Sequence, residues 1–151
     1  RIWISAPYFV PDEAVMKALE LAALRGVDVR IITTGKPDSL PVYLAAFHYM
    51  SQLRDLGIRF YAYSPGFLHE KVMLIDEEFS TVGTANFDNR SFRLNFEVTA
   101  LIADRAFAAE MEAMFERDFE RSVAIDPATF DERPLHWRMG VALSRLAAPV
   151  L

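Results

Sequence analysis

Cysteine is absent from this chain of 151 residues, which rules out disulfides and thiolate metal sites and leaves the redox compartment open. Positive charge is in deficit too: 16 Lys and Arg stand against 21 Asp and Glu, a net charge of −5. The domain as a whole therefore has no electrostatic pull on nucleic acid or anionic lipid, and any affinity for phosphate must be local. No run of about 18 apolar residues occurs, so no segment reads as a membrane-spanning helix. Internal repeats and low-complexity tracts are missing as well. The opening "RIWISAPYFV" has neither an initiator methionine nor a signal-peptide pattern, and the expectation is that part of a longer protein precedes it. What is present is one domain's worth of chain, long enough to bury a core.

Ile2 to Ser5 reads as a short apolar strand, after which Pro7 and Pro11 punctuate the chain. Helical spacing then sets in: Val15, Leu19, Ala22 and Ala23 recur on one face, with Asp12 as N-cap and Gly26 as stop. "VDVRIITT" is a strand, "SLPVYLAAFHYMSQLRDLG" a helix ending at Gly57, and "IRFYAY" another strand. That alternation predicts parallel βαβ units with right-handed crossovers. A hairpin from Phe67, a polar loop "DNRSFRLN", a strand "FEVTALIA" and an acidic helix with Phe107, Met111, Met114 and Phe115 on one face follow. A terminal helix over about residues 133–148 carries Leu135, Met139, Ala142, Leu143 and Leu146. With Trp137, Arg138 and Arg145 beside that stripe, it suits either docking on its own domain or a membrane interface. The predicted fold class is α/β: a mixed, mainly parallel β-sheet flanked by helices on both faces, one domain over 1–151.

The chemistry concentrates in "FLHEKVMLIDEEFSTVGTANFDNRSF", Phe67 to Phe92. Side chains two apart on a strand share a face, so His69 and Lys71 point one way together, as do Thr84 and Asn86. With the turn centred on Glu77 and Glu78, His69 faces Asn86 and Lys71 faces Thr84, gathering four polar groups into one patch. A one-residue slip would part them. Gly83 marks a place where backbone or ligand approaches closely. Lys71 offers a point charge, Thr84 and Asn86 neutral donors, and His69 a group able to attack or protonate, which suits a phosphate. On geometry alone, a solvated strand face is the alternative.

The spacing is more specific. His69-x-Lys71-x4-Asp76-x6-Gly83-Thr84-x-Asn86 resembles the H-x-K-x4-D-x6-G-[ST]-x-N signature of the phospholipase D superfamily. The flanks "APYFVPDEAVMKALELAALRGVDVRII", "VGTANFDNRSFRLNFE" and "RPLHWRMGVALSRLAAPVL" resemble the C-terminal half of bacterial cardiolipin synthases. The likeness is weakest in "TTGKPDSLPVYLAAFHYM" and "IDPATFDE". It implies an α/β sandwich in which two such halves face each other, and chemistry in two steps without metal or cofactor. One histidine attacks the phosphodiester, the other protonates the leaving alcohol, and a second alcohol or water resolves the phosphohistidine. On this resemblance His69 is catalytic, leaning to general acid/base, and Lys71 and Asn86 hold phosphate oxygens. Glu97 is the acidic partner of the imidazole. Thr84, Gly83 and Arg90 belong to substrate binding, although an ion pair with Asp88 or another carboxylate is an equal reading for Arg90. Asp76 joins the catalytic set through its motif position, with the role of tying down the turn or a nearby cation.

Three histidines occur, His48, His69 and His136. His48 and His136 lack a matching hairpin and read as packing or surface residues. The resemblance thus implies a second motif from the other half of a parent chain or from a second copy. It also implies an inactive isolated chain and an apolar rim around the patch. The implied substrate is an anionic phospholipid, phosphatidylglycerol, two of which condense to cardiolipin with release of glycerol. The implied location is the inner membrane of a bacterium, through parts of the parent outside this chain. No nucleic acid is expected as a partner. The alternatives are a hydrolytic phospholipase D or a single-motif phosphodiesterase or nuclease acting as a dimer, and a lipid-binding module without catalysis. Tyr8 or Phe9 would line a lipid entrance or pack in the core.

Overall fold

The computed structural model describes residues 1–130 and 132–148. Asp131 and the terminal Pro149, Val150 and Leu151, on which part of the resemblance falls, lie outside them. The βαβαβ reading holds. Strands β1 (Ile2–Ser5), β3 (Val29–Thr34) and β4 (Arg59–Tyr63) run parallel and adjacent, with β2 (Phe9–Val10) in the first connection. Helix α1 (Glu13–Leu24) starts at Asp12, whose carboxylate accepts from the Val15 amide at 3.0 Å, and Gly26 follows it in the left-handed region at φ +81°. Helix α2 (Leu40–Leu53) runs on through a 3-10 turn, Arg54–Leu56, to Gly57 at φ +77°.

Antiparallel strands extend this parallel trio on both sides. β5 (Val72–Ile75), β6 (Phe79–Gly83) and β8 (Thr99–Ala103) build outward from β1, and β9 (Ser122–Ile125) closes the far edge against β4. The order is β8-β6-β5-β1-β3-β4-β9, with a separate parallel pair of β2 and β7 (Phe87–Asp88). Strands β2, β7 and β9 had no sequence signal. Two residues are too few to show alternation, and half of β9 is exposed, so pairing with β4 rather than apolar pattern defines it.

Side-chain alternation sorts the core into two layers. Ile4 and Ile31 pack with Met16, Leu19 and Phe47 of α1 and α2. Trp3 and Ile32 pack on the opposite face with Met111 and Phe115 of α4 (Arg105–Glu120). Each such buried side chain contributes about 1.5–3 kcal/mol. Phe9 belongs to the first layer, in edge contact with Phe60 at 5.6 Å. Helix α5 (Leu135–Leu146) docks on α2 with Trp137 and Val141, not with the leucine stripe. Leu135, Met139, Leu143 and Leu146 are all exposed.

Candidate active site

The hairpin pairs one residue out of the expected register. Ile75 faces Phe79 and Val72 faces Val82, so Gly83, not Thr84, lies opposite Lys71, its amide donating to the Lys71 carbonyl at 3.0 Å. The reason is the turn. Asp76 takes a left-handed conformation, φ +53°, leaves the ladder and lengthens the loop to Asp76, Glu77 and Glu78. Strict alternation would now carry Thr84 to the wrong face. The chain avoids this because β6 ends at Gly83 and the backbone turns out of the hairpin ladder toward β8, the Thr84 amide donating to the Val98 carbonyl at 2.9 Å.

That turn assembles a cluster. The Thr84 hydroxyl donates to the Glu97 carboxylate, and Asn95 Nδ2 donates to Glu97 Oε1 at 3.0 Å. Hydrogen bonds from Thr84 and Asn95 hold the Glu97 carboxyl below its usual range, with Ser91 and the charge of Lys71 adding to the effect. Lys71 stands between carboxylates: burial draws its ammonium below the ordinary lysine range, and the charges of Glu97 and Asp88 oppose that. Its Nζ donates to the His69 carbonyl at 2.7 Å. Asn86 is anchored through its amide to Ser91 Oγ at 3.1 Å, while its buried Oδ1 has no partner among the described residues. The His69 ring is exposed and stacks on Phe67 at 5.6 Å.

Lys71, Thr84, Asn86 and Glu97 are therefore brought together, with His69 beside them. One expected contact differs: among the hydrogen bonds of the described residues, Glu97 binds Thr84 and Asn95 rather than the His69 imidazole. Asp76 lies apart. Five extended residues put it about 16 Å from Lys71, where its carbonyl accepts from Arg1 Nε at 3.0 Å. Arg90 is exposed, and the ion pair with Asp88 does not form, because Asp88 is buried and caps α3 (Asn89–Arg93) by accepting from the Ser91 amide at 2.7 Å. Sequence reasoning missed Asp88 and Ser91. Their signal was an Asp three residues before a Ser at the head of a polar loop. Among the described residues, no three His, Asp or Glu side chains converge as metal ligands.

Residues 1–119 match the family described as cardiolipin synthase, PLD-like domain. The chain belongs to this family. Cardiolipin synthase A of Pseudomonas putida (strain W619) is 48% identical over 151 residues, covering 100% of this chain and 32% of that protein. The enzyme of the same name from Pseudomonas aeruginosa (strain LESB58) is 49% identical over 153 residues, covering 31% of its length. The chain thus spans about a third of the length of the curated relatives it matches. Among solved structures, the phospholipase D family member Nuc from Salmonella typhimurium superposes with a TM-score of 0.71 at 25% identity, covering 82% of this chain and 80% of that one. Phosphatidylserine synthase from Haemophilus influenzae Rd KW20 reaches 0.77 at 16% identity, over 99% and 41%, a likeness of fold alone.

Two features of this PLD-like domain make direct tests. A Cβ on Gly83 would lie 2.6 Å from the Val98 carbonyl oxygen and 2.8 Å from Thr99 Cα. It is the β8 backbone that approaches there. Gly83→Ala is expected to destabilise the fold by about 1–3 kcal/mol, read as a lower urea midpoint with an unchanged slope. Unaltered stability would show that β8 can retreat freely. Glu70, between His69 and Lys71, turns to the α4 face and accepts from Ser5 Oγ at 2.5 Å. Burial pushes its carboxyl above the ordinary value, against that hydrogen bond, and Asp118 adds to the rise. The folded state then keeps its proton to higher pH than the unfolded chain. This favours folding below the ordinary carboxylate range and is lost as pH rises through the raised value. Glu70→Gln should therefore gain melting temperature over wild type at pH 7 and lose that gain near pH 4. A pH-independent difference would refute the assignment.

Proposed function

We propose that this PLD-like domain is the C-terminal half of a phosphatidyltransferase that condenses two phosphatidylglycerols to cardiolipin and glycerol. The observation that carries the reading is the cluster of Lys71, Thr84, Asn86 and Glu97 beside an exposed His69, in a chain 48% identical to cardiolipin synthase A. In the first step, a histidine of the facing half attacks phosphorus and the bond to the leaving glycerol oxygen breaks. The His69 imidazolium gives that oxygen its proton. In the second step, the terminal hydroxyl of another phosphatidylglycerol attacks the phosphohistidine, passes its proton to His69 and releases the imidazole. Lys71 and Asn86 would hold the non-bridging oxygens as they gain charge.

The need for a facing half is supported by the rim. Phe92, Leu94, Phe96 and Val98 are exposed around the cluster, Phe96 fully, and an apolar rim of that kind marks a contact surface. The second motif would come from the parent chain or a second copy, which leaves the isolated chain inactive. Among the described residues no helix is long and apolar enough to cross a membrane, so anchoring at a bacterial inner membrane would fall to parts outside this chain. The net charge of −5 weighs against a nucleic-acid substrate. The test is to give the full-length protein labelled phosphatidylglycerol and follow its products. Cardiolipin with glycerol is expected; phosphatidic acid instead would make the enzyme a hydrolase, and no product would refute the reading.

A further inference from the structure

A cavity of about 330 Å³ opens at the C-terminal ends of β3 and β4, roofed by α2 and the turn Pro127–Phe130. Its volume is at the small end of ligand pockets, which begin near about 300 Å³. Val42, Ala46, Phe47 and Met50 of α2 make one wall. The buried or half-buried polar side chains on the opposite side are already engaged: Thr33 Oγ1 donates to the Tyr61 carbonyl at 3.5 Å, Thr34 Oγ1 to the Lys36 carbonyl at 3.2 Å, and the Tyr8 hydroxyl to Asp38. Asp126, Thr129 and Arg133 also line the cavity and are exposed to solvent, with Arg133 over the Trp137 ring. The buried walls, Val42, Ala46, Phe47, Met50 and Phe130, suit an apolar occupant, because a polar one would leave its own groups unpaired there.

Two contacts join this cavity to the phosphate cluster. Strand β2 runs parallel to β7 with Phe9 opposite Phe87, and one residue back along that register Tyr8, a cavity wall, stands level with Asn86. On the other side the amide of Leu68, next to His69, donates to Thr34 Oγ1 at 3.4 Å. The cavity and the cluster therefore share a partition, and an amphipath with its phosphate at Lys71 and Asn86 has its chains within reach of the opening. We propose that this cavity takes one acyl chain of the phospholipid substrate, an inference that rests on the phosphatidyltransferase reading. Tyr8 thus stands at a lipid passage, while Phe9 packs in the core.

The full-length protein, in mixed micelles with phosphatidylglycerol bearing a diazirine midway along one acyl chain, is irradiated and the adducts mapped by mass spectrometry. Adducts are expected on Phe47 or Met50. Ala46→Phe, which fills the cavity, should abolish them and raise KM for long-chain phosphatidylglycerol about tenfold, the effect of burying two fewer methylenes. Turnover of dihexanoyl phosphatidylglycerol should stay within about twofold, since little of its chain reaches the cavity. Met50→Ala, which widens the cavity, should keep the adducts on Phe47 and supplies the test if Ala46→Phe does not fold. Adducts confined to other surfaces, with turnover intact, would overturn the cavity assignment alone. A protein that neither crosslinks nor turns over any phosphatidylglycerol would overturn the substrate reading and this inference with it.

Discussion

On the phosphatidyltransferase reading, His69→Ala in the full-length protein is expected to cut phosphatidylglycerol turnover by roughly 10²–10⁴-fold, the span a lost general acid–base group costs. The fall should appear in kcat, with KM nearly unchanged, because the exposed ring stacks on the exposed Phe67 and no hydrogen bond from it to another side chain occurs among the described residues. Stability should hold for the same reason: an exposed side chain away from the core changes folding by no more than about 0.5 kcal/mol. The variant also separates the two histidine roles. Removing an acid/base group flattens one limb of the pH–rate bell, and added imidazole should restore part of the rate. Turnover within about threefold of wild type, far below the usual cost of such a group, would take His69 out of the chemistry.

Lys71→Met carries the second large effect, a loss of about 10²–10³-fold in kcat/KM, as for removing one preorganised charge from a developing oxyanion. Lysine is held here by opposing influences. Burial lowers its proton affinity, and Glu97 and Asp88 raise it. Activity should accordingly fall on the alkaline side at a pH below the ordinary lysine value of about 10.4. Glu97→Gln withdraws one of the two charges that support the ammonium, so its alkaline limb should move to still lower pH. An alkaline limb unmoved by that substitution would mean that Lys71 does not set it. Glu97→Gln also weakens the hold on the Thr84 hydroxyl, and a KM change accompanying the pH shift would report that second consequence.

Much of this architecture was legible because its signals are local. Asp12 and Gly26 bracket α1 as cap and stop; the motif spacing named Lys71, Thr84 and Asn86 of the cluster and the family resemblance added Glu97, while the parts played by Asp88, Ser91 and Asn95 went unread. The register was not legible. It turned on whether Asp76 stayed in the ladder, a matter of one backbone dihedral that no neighbouring residue type dictates. The partner of Glu97 was hidden for a related reason, since it depends on where the chain goes after leaving β6 at Gly83. The docking face of α5 failed differently. Leu135, Trp137, Met139, Val141 and Leu143 ring the helix, so periodicity alone could not choose between the stripe and the Trp137–Val141 face, and α2 made the choice by packing against the latter.

Strand β8 bears on how this domain behaves in concentrated solution. It ends the sheet order, and Thr99, Ala100, Leu101 and Ala103 are all exposed. Neither proline nor lysine guards it, and Val98 and Leu101 present apolar surface alongside the unpaired backbone groups. Such an edge invites strand addition by another molecule. Colloidal behaviour, more than folding, would then limit concentration and storage, and a lysine at Ala100 or Leu101 is the economical remedy because it charges the edge without touching the cluster.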